Sequence, residues 1–129
     1  MNLLLDTHAL LWWDLNSDHL SAAARTAISD AANTVFVSAV SIWEISIKQK
    51  RGKLRLSGSP LAMLAKNAFL PLAISPEHAE AAGALPLLHA DPFDRMLIAQ
   101  AQLEQLTLVT LDEKIRRYPV AQLWAANAT

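Results

Sequence analysis

Apolar residues come in short bursts along this chain, and acids, prolines and small polar residues separate them. Residues 2–5 (NLLL) form an apolar run cut off by Asp6 and read as a buried first strand. Residues 8–15, with two tryptophans, suit a short helix. The alanine-rich residues 19–31 suit another, with Ser17-Asp18 placed to cap it. Thr34-Val35-Phe36-Val37 is β-branched and aromatic, which predicts a second strand. Helices follow over 41–49 and, after Ser59-Pro60, over 61–69; a short strand is expected over 72–74. Ser75-Pro76 opens a helix to about residue 82, and Asp91-Pro92 opens one to residue 104, both with proline at the first helical position. Residues 106–109 read as a strand and 120–124 as a weaker one. Strands thus alternate with helices, the pattern of an α/β domain with a mostly parallel sheet. In such sheets binding sites gather beyond the carboxyl ends of the strands, so the residues just after each strand carry the interest.

Composition narrows the class. The 129 residues suit one domain, 1–129, and suffice for a real core. Hydrophobic residues make up 53%, and there are only 3 glycines, so a packed chain is expected rather than a disordered one. No apolar run approaches the roughly 20 residues of a membrane span, and Met1-Asn2 followed by three leucines and an aspartate is no secretory leader. Cysteine is absent, which removes disulfides and thiolate metal sites and agrees with a cytoplasmic location. Eleven basic and 12 acidic residues nearly balance, so any nucleic-acid signal must be local. One is: Lys48, Lys50, Arg51, Lys53 and Arg55 lie within eight residues that contain no acid.

Acids stand where the site is expected. Asp6 follows the first strand, Glu44 opens the helix after the second, Asp112 follows the strand at 106–109, and Asp91 and Asp94 open the helix before it. Each has a local explanation. Asp6 can cap a helix, and Asp91 before Pro92 is an ordinary N-cap. Ser41-Ile-Trp-Glu44 and Thr110-Leu-Asp-Glu113 both match the capping-box pattern. Together they also suit a hard divalent cation, which takes carboxylate oxygens plus water and substrate phosphates and relieves the repulsion among crowded acids. Other chemistries lack their signatures. The four histidines show no paired metal spacing and read as capping or packing residues. There is no phosphate loop, dinucleotide fingerprint or G-x-S-x-G elbow.

Four segments in series, LLLDTHALLWW, SAVSIWEISIKQKRGKL, DPFDRMLIAQA and LVTLDEKI, cover most of the chain. In order and spacing they resemble the PIN-domain toxins of bacterial toxin–antitoxin pairs, the VapC family. The resemblance implies a PIN-like fold, a parallel five-stranded sheet flanked by helices. It implies an endoribonuclease dependent on Mg²⁺, with Mn²⁺ as the other candidate, that cleaves structured RNA of the tRNA or rRNA class with a metal-activated water. A cognate antitoxin would hold it inactive, and a homodimer is expected. Carried over by position, Asp6, Glu44 and Asp94 hold the metal and serve catalysis, and Asp112 completes the ring. Thr7, Thr110 and Asp91 are expected to support them, Asp91 mainly as an N-cap.

The basic stretch Lys48, Lys50, Arg51, Lys53 and Arg55 has two readings: a solvated helix end, with Gly52 closing the helix, or a phosphate-binding rim. Arg95, beside Asp94, joins the candidate RNA contacts. Trp12 and Trp13 are expected in packing or an interface more than in base stacking, as is Trp43. Two other classes compete with the nuclease. One is a catalytically weak module that holds a cation structurally and acts by binding RNA or a partner. The other is a phospho-acceptor receiver domain, disfavoured because Asp6 has no acidic neighbour and residues 120–124 offer no lysine.

Overall fold

The leucines after Asn2 alternate between the two faces of a sheet, and both faces are covered. In a computed structural model that describes residues 1–56 and 58–127, Leu3, Leu4 and Leu5 are all fully buried in β1 (Asn2–Leu5). Leu3 and Leu5 join one hydrophobic cluster and Leu4 the other, as the two-residue period of a strand requires. The remaining strands are β2 (Thr34–Ser38), β3 (Leu70–Leu72), β4 (Thr107–Thr110) and β5 (Gln122–Trp124). They form one five-stranded sheet in the order β3-β2-β1-β4-β5, and every pairing is parallel. The expected parallel five-stranded sheet is therefore observed.

Six α-helices cover it among the described residues: α1 (Thr7–Asp14), α2 (Ala22–Ser29), α3 (Ala39–Lys50), α4 (Ala62–Asn67), α5 (Pro76–Ala84) and α6 (Pro92–Glu104). The cluster around Leu3 and Leu5 takes Leu10 from α1, Ala24 and Ile28 from α2, and Met63 and Leu64 from α4. The cluster around Leu4 takes Leu97, Ile98 and Ala101 from α6. Helix α3 feeds both, with Ile45 in the first and Val40 in the second. None of the helices is long and apolar enough to cross a membrane.

Several expected boundaries move, each for a visible reason. The helix expected over 19–31 is α2, capped by Ser21 rather than by Ser17-Asp18: Ser21 Oγ accepts from the Ala24 N–H at 3.1 Å. Residues before it turn, and Leu20 bridges to Ala126 instead. Helix α3 starts earlier than residue 41. Ser38 ends β2 and caps the helix through the Val40 N–H, so Ser41 and Glu44 lie inside it and form no capping box. The third strand is β3 rather than 72–74, because Leu70, Pro71 and Leu72 pair with Phe36, Val37 and Ser38. Thr110 and Glu113 form no capping box either. Asp112 Oδ1 instead accepts from the Lys114 N–H at 2.7 Å in a turn leading to a single 3-10 turn, Ile115–Arg117. The proline-opened helices hold as expected. Asp91 accepts from the Phe93 and Asp94 N–H groups at the head of α6, and Ser75 with His78 makes a capping box on α5. Gly52, one residue beyond Arg51 at the end of α3, has φ +70°, a left-handed conformation that glycine adopts at no steric cost.

Candidate active site

Strand β1 pairs with β2 on one side and β4 on the other, so the topological switch of the sheet lies over its carboxyl end. Asp6 occupies that point and is 2% exposed. It caps α1 by accepting from the Ala9 N–H at 2.7 Å, and its other oxygen faces the Leu111 N–H at 3.4 Å, just beyond β4. Burial pushes its carboxyl above the usual range. The Thr110 hydroxyl, the Ala9 N–H, the charge of His8 and the Leu111 N–H oppose that rise.

Glu44 approaches from α3. Its position inside the helix, rather than at the helix start, turns it toward α1. Oε1 accepts from the Thr7 hydroxyl at 2.7 Å and Oε2 from Lys48 Nζ at 2.9 Å. Thr7, the residue after Asp6, therefore ties the two acids together. Lys48 sits one turn after Glu44 and neutralises it, so this lysine of the basic stretch serves the site directly. Lys50, Arg51, Lys53 and Arg55 are exposed around and beyond the end of the same helix.

Asp94 and Asp112 meet on the far side. Asp94 lies in the first turn of α6, placed there by the Asp91 cap, and Asp112 follows β4. Between them stands His89, which the sequence offered only as a capping or packing residue. Its Nε2 lies 2.8 Å from Asp94 Oδ2 and 3.3 Å from Asp112 Oδ2. One ligand atom from each of His89, Asp94 and Asp112 falls within 4.8 Å of the other two, a grouping able to hold a metal ion. Asp6 and Glu44 are not members of this group, although Asp94 feels the charge of Asp6. Burial pushes the Asp94 carboxyl up to about 7; the charges of Asp91, Asp6 and Asp112 add to the rise and the His89 hydrogen bond opposes it. The only signal for His89 in the sequence was its place two residues before the Asp91 cap.

Arg95 is not a substrate contact. It is buried, and its guanidinium donates to the carbonyls of Ala82, Gly83, Leu85, Pro86 and His89 at 2.9–3.4 Å. It ties the end of α5 and the following loop to α6, and both terminal nitrogens are engaged in that task. Trp12 and Trp13 pack against the core, and Trp13 Nε1 donates to Asn67 at 3.0 Å, as a packing role predicts. Trp43 is 61% exposed and meets Phe93 edge-on at 5.3 Å between ring centres. A hollow of about 370 Å³ lies by the amino ends of β2 and β3 and holds one acid, Asp30. It lies at the opposite end of the strands from Asp6 and Asp112.

The donor set fits a divalent cation. Asp6 is buried and Asp94 half-buried; both are held above the ordinary carboxylate range and paired with no lysine or arginine among the described residues. A cation is the charge that would relieve both.

Known proteins share the fold and part of the sequence. Residues 3–121 match the model of the PIN domain. The chain is 33% identical over 118 residues to Ribonuclease VapC22 of Mycobacterium tuberculosis, covering 89% of this chain and 90% of that one. Its backbone is similar to VapBC2 from Rickettsia felis, solved bound to a DNA fragment from the promoter. The TM-score there is 0.69 at 17% identity, over 97% of this chain and 99% of the other. A toxin–antitoxin complex from Klebsiella pneumoniae gives a TM-score of 0.65 at 21% identity, over 95% and 96% of the two chains. The acids at the switch of a β3-β2-β1-β4-β5 sheet are thus set in a chain that belongs to the VapC family of PIN-domain proteins.

Proposed function

We propose that the chain is a metal-dependent endoribonuclease, the toxin of a type II toxin–antitoxin pair, acting on structured RNA of the tRNA or rRNA class. The observation that carries this reading is the meeting of Asp94 and Asp112 with His89 beyond the carboxyl end of the sheet, within the field of Asp6. The ribonuclease relative and the toxin–antitoxin neighbours support it.

Asp6 and Asp94 are the residues that would hold the cation, Mg²⁺ or Mn²⁺, with Asp112 and Glu44 completing its surroundings. A divalent ion there supplies a Lewis acid for the attacking water and for the phosphate charge. Thr7 and Lys48 occupy the two oxygens of Glu44 and keep it oriented toward α1. Asp91 spends its carboxylate on the α6 cap, which fixes the turn that carries Asp94. The exposed Lys50, Arg51, Lys53 and Arg55 form the rim on which phosphates of a bound RNA rest. The cognate antitoxin is the expected protein partner, and a homodimer the expected assembly.

The test is cleavage of total RNA by the purified chain with and without Mg²⁺ or Mn²⁺, beside a folded Asp94→Asn protein. Discrete metal-dependent fragments that vanish with the variant support the nuclease. A wild-type protein that arrests growth yet cleaves no RNA, with Asp94→Asn equally toxic, supports a binding module instead.

A further inference from the structure

His89 lies in no helix or strand, yet both its backbone and its ring are fixed. Its N–H donates to the Tyr118 hydroxyl at 2.9 Å, and its carbonyl accepts from Arg95 Nη1 at 3.2 Å. The Tyr118 hydroxyl in turn donates to the Pro86 carbonyl at 2.6 Å. The ring enters the site from a segment tied down on both sides, and the residue is 8% exposed.

The ring proton can be placed. Nδ1 faces the Asp91 backbone N–H at 3.5 Å. An N–H requires an acceptor, so this contact assigns the ring proton to Nε2. That N–H meets two acceptors, Asp94 Oδ2 at 2.8 Å and Asp112 Oδ2 at 3.3 Å. The two acids come from separate elements and repel each other; a shared donor holds them together. It also sorts their oxygens. Asp112 Oδ1 is taken by the Lys114 N–H at 2.7 Å. Asp94 Oδ1 meets no donor among the described residues.

We propose that His89 is a positioning residue. Its imidazole clamps Oδ2 of Asp94 to Oδ2 of Asp112 and leaves Asp94 Oδ1 as the oxygen that takes the cation. The ring acts as an outer partner of the ion, because the short contacts of its inward nitrogen are to carboxylate oxygens. This inference rests on the divalent-metal reading of the site given above. Outer partners that orient a ligating carboxylate typically contribute about 10–100-fold to metal affinity.

The test is a Mn²⁺ titration of the full chain followed by electron paramagnetic resonance, with pulsed detection of any ¹⁴N nucleus bound to the ion. Wild type, Asp94→Asn, His89→Ala and His89→Gln are compared. His89→Ala is expected to bind Mn²⁺ about 10–100-fold more weakly. His89→Gln keeps a side-chain N–H directed inward and is expected to recover most of that loss. The wild-type ion is expected to show no directly bound nitrogen. Should His89→Ala not fold, the glutamine variant and the nitrogen signal carry the test. The proposal is overturned by wild-type affinity in His89→Ala, by a folded His89→Gln as weak as a folded alanine variant, or by a bound ¹⁴N. Asp94→Asn separates the two levels. If wild type binds and Asp94→Asn does not, the metal reading stands whatever His89 does. If wild type binds no Mn²⁺, both fall together.

Discussion

Thr7 Oγ1 lies 2.7 Å from Glu44 Oε1, a buried contact that joins the first residue of α1 to the interior of α3. The residue that follows Asp6 thereby positions an acid 37 places along the chain. Thr7→Val keeps the shape and removes the donor, leaving a buried carboxylate oxygen unsatisfied. The expected cost is about 1.5–3 kcal/mol, the range for a hydrogen bond to a charged group. Thr7→Ser, which keeps the hydroxyl, is expected to lose less. Urea melts of the three proteins measure it, and a valine variant as stable as wild type would remove Thr7 from this role.

The pH dependence of the metal-free chain follows from Asp94. Its carboxyl ionises near 3.8 when unfolded and at about 7 when folded, chiefly through burial. The folded state therefore binds more protons between those values, and stability falls as pH rises through them. Asp94→Asn has no such proton to lose. Its advantage over wild type is expected to be small near pH 4 and on the order of 2 kcal/mol by pH 8. That is less than the full shift implies at about 1.4 kcal/mol per unit, since neighbouring acids share the effect. Parallel stability curves for the two proteins across this range would contradict the assignment.

Arg95 is expected to matter for folding rather than for RNA. Arg95→Met preserves much of the stem but strands up to five carbonyls between α5 and α6. A loss of about 3 kcal/mol or more is expected, since each buried carbonyl left without its donor costs about 1–3 kcal/mol. Thermal unfolding reads this directly. An Arg95→Met protein with the melting point of wild type and weakened RNA binding would restore the surface role.

The exposed rim should behave in the opposite way. Lys53→Ala with Arg55→Ala is expected to shift stability by less than about 0.5 kcal/mol. RNA binding, measured with Asp94→Asn to prevent cleavage, should weaken and lose salt dependence. Each phosphate contact removed lowers the slope of log affinity against log salt by about 0.7 on single strands. An unchanged slope would place the RNA elsewhere.

The local signals were legible residue by residue. Asp91-Pro92 announces the start of α6, Ser75-Pro76 that of α5, and the burst at residues 2–5 a buried strand. Periodicity and capping act within about four residues, which is why the alternating α/β order and the acids at strand ends could be read directly. Even there, capping patterns misled where two serines competed. Ser38 rather than Ser41 starts α3, because pairing of β2 with β3 carries the strand to Ser38.

What only the tertiary structure decided involves residues far apart in sequence. His89 was indistinguishable from a capping histidine until Tyr118, 29 residues on, anchored its backbone and Asp112 came up beside its ring. Arg95 looked like a surface cation beside an acid, yet the turn of α6 directs it into the end of α5. A side chain's chemical role depends on its partners, and those are chosen by the packing of whole elements. The sequence by itself determined the elements, their order and the acids they carry. The fold determined which oxygens are occupied and which remain open to a ligand, because burial and long-range hydrogen bonds arise only once the sheet has closed around them.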